Sequence, residues 1–185
     1  LMTGLAIGAD TIAAEVALDR GWAVVGVLPF QLDEYLKNYS DDEAARLREL
    51  LAHDKVTTIV LDPLRDPATG APSTNDALQG SSHPLRARHY EQAGFFIAER
   101  CALLIAVMPA DEAPTRIGGT SRVVHFRLKG AFEDEESKVT VGASTHLRSA
   151  SDLDKPLSGP VWLIDPGSAA SAVAPLLGVD LYLPG

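Results

Sequence analysis

Along this chain, short unbroken apolar runs alternate with longer stretches in which apolar residues recur at helical spacing. Residues 10–20 carry apolar side chains at 12, 13, 16, 17 and 18, which predicts a helix with one buried face, closed by Gly21. Residues 23–28 form a continuous apolar run before Pro29 and read as a strand buried on both faces. Residues 41–53, with leucines at 47, 50 and 51 among charges, predict a solvent-facing helix, and residues 57–61 a second central strand. Residues 62–84 are rich in Pro, Gly, Ser, Asp and Asn and predict a long surface loop, a feature more often functional or partly disordered than inert. Helical spacing resumes over 85–100, an apolar strand over 102–108 ends at Pro109, and a helix over 120–129 is closed by Gly130. Residues 131–159 lose periodicity and carry the acidic cluster Glu133, Asp134, Glu135 and Glu136, so an insertion or mobile loop is expected there; residues 160–165 return to strand character.

Strands that alternate with helices and lack polar alternation imply an α/β fold: a Rossmann-like open parallel sheet flanked by helices on both faces. With 185 residues, 46% hydrophobic and 22% charged, the chain suits one core, and a single domain over 1–185 is expected. It opens in what reads as the end of a strand, so an upstream apolar run is expected to precede it.

Two glycine turns carry the candidate chemistry. The first, Gly4, Leu5, Ala6, Ile7, Gly8 and Ala9, leads into the helix that Asp10 begins; its glycines let the backbone approach an anion, and the helix N–H groups add partial positive charge. The second, Gly118, Gly119, Thr120 and Ser121, follows the apolar strand at 102–108. In an open parallel sheet, loops at the carboxyl ends of neighbouring strands converge on a ligand, so both turns are expected to face one crevice.

Composition narrows the function. A net charge of −9 and scattered Lys and Arg disfavour a nucleic-acid surface. The single cysteine, Cys101, rules out an intrachain disulfide and reads as a core thiol in a reducing, cytoplasmic compartment. No run of about eighteen apolar residues predicts a membrane span. The five histidines show no metal-ligand spacing, so no metal is expected, and no bound cofactor either. Gly-x4-Gly-Lys-Ser/Thr, Gly-x-Gly-x-x-Gly and Gly-x-Ser-x-Gly are all missing, which argues against a P-loop hydrolase, an ordinary dinucleotide dehydrogenase and an α/β-hydrolase elbow. The composition leaves room for a homo-oligomer.

The residues Gly4 to Asp10, Val27-Leu28-Pro29-Phe30, Leu104 to Val107 and Gly118-Gly119-Thr120 together resemble the SLOG superfamily, Rossmann-like domains that include the DNA-processing protein DprA and the lonely-guy phosphoribohydrolases. The resemblance spans roughly residues 3 to 130 and the strand at 160–165. It implies a pocket for a nucleotide or nucleotide-derived small molecule lined by both glycine loops. The hydrolases of that group carry Pro-Gly-Gly-x-Gly-Thr-x-x-Glu; here Ile117 stands in place of the proline and Val123 in place of the catalytic glutamate. A valine does no acid/base work, so binding ranks ahead of N-glycosidic cleavage, for which Asp111 or Glu112 would have to supply the carboxylate. DprA-like binding of single-stranded DNA would need a basic groove and stacking aromatics, against 6% aromatic content here.

Among individual residues, Asp10 caps the helix or holds a ribose hydroxyl. Thr120 and Ser121 cap their helix or donate to a phosphate. Pro29 and Phe30 form core packing or a stacking platform. Arg86 and Tyr90, four apart on one helix, form a solvated helix end or a clamp for phosphate and ring.

Overall fold

A computed structural model describes residues 1–65, 70–73, 84–130, 158–169 and 179–182. The chain divides into two units, Leu1–His89 and Tyr90–Gly185, and each has its own sheet.

The first unit contains β1 (Met2–Thr3), α1 (Ala9–Asp19), β2 (Val24–Leu28), α2 (Leu32–Leu36), α3 (Asp41–Leu51), β3 (Val56–Val60) and the first residues of α4 (Pro84–Arg100). Its sheet has the order β1-β2-β3, parallel throughout, with Met2 opposite Val25 and Val24 opposite Val56. The central strand is β2, and Val24, Val27 and Leu28 are buried in it. β3 borders the sheet among the described residues, and Thr57 and Thr58 are exposed, in contrast to the central strand expected. Its Thr, Val and Ile content suits a pleated surface at the edge as well as in the middle.

The buried face of α1 is Thr11, Ala14 and Ala17, while Ile12 and Val16 are more than half exposed. Spacing located the helix, but small side chains rather than large ones form its inner face. In α3, Ala44, Leu47 and Leu50 are buried, and Ser40 and Glu43 make a reciprocal capping box: the Glu43 N–H donates to Ser40 Oγ and the Ser40 N–H to Glu43 Oε2 at 2.9 Å. The five-residue helix α2 is too short for apolar periodicity to reveal.

The second unit contains the remainder of α4, β4 (Leu104–Val107), α5 (Thr120–Lys129), β5 (Val161–Ile164), α6 (Pro166–Ala169) and β6 (Val179–Tyr182). β4 and β5 pair in parallel, whereas β6 pairs antiparallel to β5 and so departs from the all-parallel expectation. Leu104, Ala106, Met108, Val161 and Leu163 form its core, with Val123, Val124 and Leu128 of α5 packed on them. Burial alternates along β4 and β5; Ile105, Val107 and Trp162 are exposed. An unbroken apolar run therefore overstated the burial here, because the run alone does not show how many faces are covered.

α4 and α5 approach closely at Gly94, where a Cβ would stand 2.3 Å from Val123 Cγ2, and Phe95 stacks on Phe126 with centroids 4.2 Å apart. Arg127 closes the end of α4 by donating to the carbonyls of Ala98 at 2.9 Å and Cys101 at 2.8 Å. Cys101 is a half-buried thiol at the margin of that core, its Sγ donating to the Ala98 carbonyl at 3.5 Å.

Both units are mixed α/β, with helices and small sheets that contain parallel strand pairs. Among the described residues no helix is long and apolar enough to cross a membrane. Residues 66–69 and 74–83 of the expected long loop, and the expected insertion up to residue 157 with its acidic cluster, lie outside the described residues.

Candidate functional site

The first glycine turn joins the carboxyl end of β1 to the amino end of α1, and its backbone is unusual at two points. Leu5 is the only non-glycine residue with positive φ among the described residues, at 56°, and its side chain is fully buried. Gly8 has φ 115° and ψ −126°, a conformation open essentially to glycine alone. The turn is tied to α1 by the Gly8 N–H donating to Thr11 Oγ1 at 3.1 Å and the Thr11 N–H donating to the Ala6 carbonyl at 3.2 Å. Ala6, Gly8 and Ala9 are exposed, and Gly4 is half-buried.

Asp10 occupies the hollow of this turn. Its Oδ2 accepts from the Ala6 N–H at 3.3 Å and lies 3.0 Å from where a Cβ on Gly4 would be. Burial raises its carboxyl above the ordinary value, opposed by hydrogen bonds from the Ala6 N–H, the Thr3 hydroxyl and the Gly4 N–H. Asp10 does not cap its helix as expected, because Gly8 is the N-cap and Asp10 lies inside the first turn; its carboxylate instead turns back onto loop amides under partial desolvation.

Two tyrosines absent from the sequence-based candidates brace the turn. The Tyr35 hydroxyl donates to the Gly4 carbonyl at 2.9 Å, and Tyr35 meets Tyr39 edge to face at 5.3 Å. The Tyr39 phenol is held above its ordinary value, first by burial and further by the charge of Asp10. Tyr35 and Tyr39 follow a strand and a Pro-Phe pair in a segment with no motif, so their proximity to residues 4–10 had no local signal.

Pro29 and Phe30 are both buried at the end of β2. The Phe30 ring lies under the Arg86 guanidinium at 4.5 Å and beside His89 at 5.0 Å. Arg86 is itself buried: it donates to Glu34 Oε1 at 2.7 Å and, through Nη2, to Asn38 Oδ1 at 2.8 Å. Burial works to raise the Glu34 carboxyl, but hydrogen bonds from Lys37 and Arg86 outweigh it and hold that group below its ordinary range. Arg86 and Phe30 therefore meet in a mutually satisfied cluster. Tyr90 lies one turn further along α4 and is half-buried.

The second glycine turn belongs to the other unit. Gly118 has φ 74°, and Gly119 starts α5 in extended conformation, with the Arg116 carbonyl 3.0 Å from where its Cβ would be. Thr120 is exposed at the first helical position, and α5 has no side-chain cap. Ser121 is buried and turned inward, its hydroxyl 3.1 Å from Glu112 Oε1 and 3.2 Å from the Ala113 carbonyl. Val123 packs against Gly94. No known protein family, no curated protein and no solved structure matches this chain.

Proposed function

We propose that this chain is a SLOG-like binding domain, built on a Rossmann-like open sheet, that holds a nucleotide or nucleotide-derived small molecule at its first glycine turn. The observation that carries this reading is Asp10 on the amide of Ala6, within a turn that keeps both Leu5 and Gly8 at positive φ. Backbone strain of about 1–3 kcal/mol, here at Leu5, persists only where the surrounding structure over-determines it, and such strain clusters at ligand sites. A carboxylate in that hollow competes with a phosphate for the same N–H groups but is well suited to accept from ribose hydroxyls. The division of labour is then Asp10 for the sugar and the exposed first N–H groups of α1 for the phosphate. Binding without N-glycosidic cleavage is favoured by Val123, whose packing on Gly94 leaves the hydrolases' glutamate position filled by apolar contact.

The test is calorimetric titration and thermal unfolding with adenosine and guanosine mono- and diphosphates and NAD. A ligand at a hundred times its Kd stabilises the native state by about 2.7 kcal/mol. At least one nucleotide is expected to raise the midpoint, with the shift lost in Gly8→Ala and the ribose preference lost in Asp10→Asn. A Gly119→Ala variant tests the second turn separately. No shift with any nucleotide overturns the reading.

A further inference from the structure

The second unit holds a cleft of its own, bordered by Ser121 of the second glycine turn. It has a volume of about 170 Å3 and is walled by Met108, Val124, Leu128 and Leu163, with Glu112 and His125 among its polar lining residues. The geometry points to a second small-molecule site here, specific for a single aromatic ring that carries a cationic or N–H donor group. Three observations support it.

Size suits a guest of one ring, because an apolar cavity of about 150 Å3 is enough for benzene. The walls come from the end of β4, α5 and β5, and Ala110, Glu112 and Pro114 of the connecting loop complete them. Charge then selects among single-ring guests. Glu112 is fastened by the Ser121 hydroxyl at Oε1, and Oε2 has no hydrogen bond among the described residues. A carboxylate oriented in this way, on a chain of net charge −9, attracts an amine and repels a carboxylic acid.

The experiment uses the whole chain with benzylamine as probe and benzyl alcohol and benzoate as comparators, followed by saturation-transfer NMR and calorimetric titration. Benzylamine is expected to bind saturably, with Kd on the order of millimolar for so small a ligand. Benzyl alcohol is expected to bind several-fold more weakly and benzoate not measurably. Glu112→Gln, at an exposed position, is expected to weaken benzylamine by about tenfold and leave benzyl alcohol unchanged, the worth of one charge-assisted hydrogen bond. Val124→Phe fills the cleft and is expected to abolish both. Non-saturable benzylamine binding, equal affinity for benzoate, or an unchanged Kd in Glu112→Gln overturns the inference. Should Val124→Phe fail to fold, the Glu112→Gln comparison decides alone.

Discussion

Leu5 lies so close over Gly26 that a Cβ on the glycine would stand 2.4 Å from Leu5 Cδ1. The missing side chain in the central strand makes room for a fully buried leucine that the turn holds at φ 56°. The strand and the turn are thus coupled at one point. Gly26→Ala is expected to destabilise by about 1–3 kcal/mol through overpacking and to weaken nucleotide binding, since Leu5 anchors the turn. Leu5→Ala combined with Gly26→Ala is expected to cost less than the two single losses added together. Urea unfolding of the four proteins measures this, and strict additivity contradicts the coupling.

Asp10 holds its charge at a cost, because burial raises its carboxyl above the ordinary value. A group whose pKa is raised on folding favours its neutral form in the native state. Its contribution therefore improves as pH falls through the raised value towards the ordinary one. Asp10→Asn keeps an acceptor for the Ala6 N–H without the charge. The variant is expected to be as stable as the parent or more stable at pH 7, with the difference shrinking in acid, and to bind ligand less well. A large loss of stability at neutral pH would refute this.

His89 is fully buried; its Nε2 is 2.9 Å from Ser73 Oγ, and its pKa is lowered to about 4, chiefly by burial. The native state thus resists a proton that the unfolded chain accepts near its ordinary value of about 6.5. Stability is expected to be flat above about pH 7, to decline between about pH 6.5 and pH 4 by roughly 3 kcal/mol, and to lose nothing further from this group below that. Unfolding midpoints across pH for the parent and His89→Gln provide the comparison; an identical pH slope in the two removes His89 as the cause.

The Arg86–Glu34 pair is buried on both sides, whereas Lys37, the second partner of Glu34, is mostly exposed. Removing one partner of a buried pair costs about 3–5 kcal/mol, and an exposed ion-pair partner contributes less than about 1 kcal/mol. Arg86→Met is therefore expected to destabilise severely and Lys37→Met barely. Because Glu34 sits below its ordinary range, its contribution is present at neutral pH and is lost as pH falls below the usual carboxylate range through the lowered value. Similar losses in the two variants, read by chemical denaturation, would contradict this assignment.

Much of the architecture was legible in the residues, and much of the candidate site was not. The apolar runs at 23–28 and 102–108 and the helical spacing at 41–53 marked β2, β4 and α3 within a residue or two, because local periodicity reports backbone geometry directly. The glycines at 8, 118 and 130 signalled turns that do take positive φ, since few other residues tolerate that conformation. Which face of a helix or strand is covered depends on neighbours distant in sequence. So α1 turned Ala14 inward and Ile12 outward, β3 became an edge, and Ile105 and Trp162 stayed exposed. The same distinction separates the motif from its chemistry. Gly4 and Gly8 announced a close backbone approach, but the pairing of Tyr35 with Gly4, the seating of Asp10 on Ala6 and the burial of Arg86 on Glu34 arose only when folding desolvated those groups and required a partner for each.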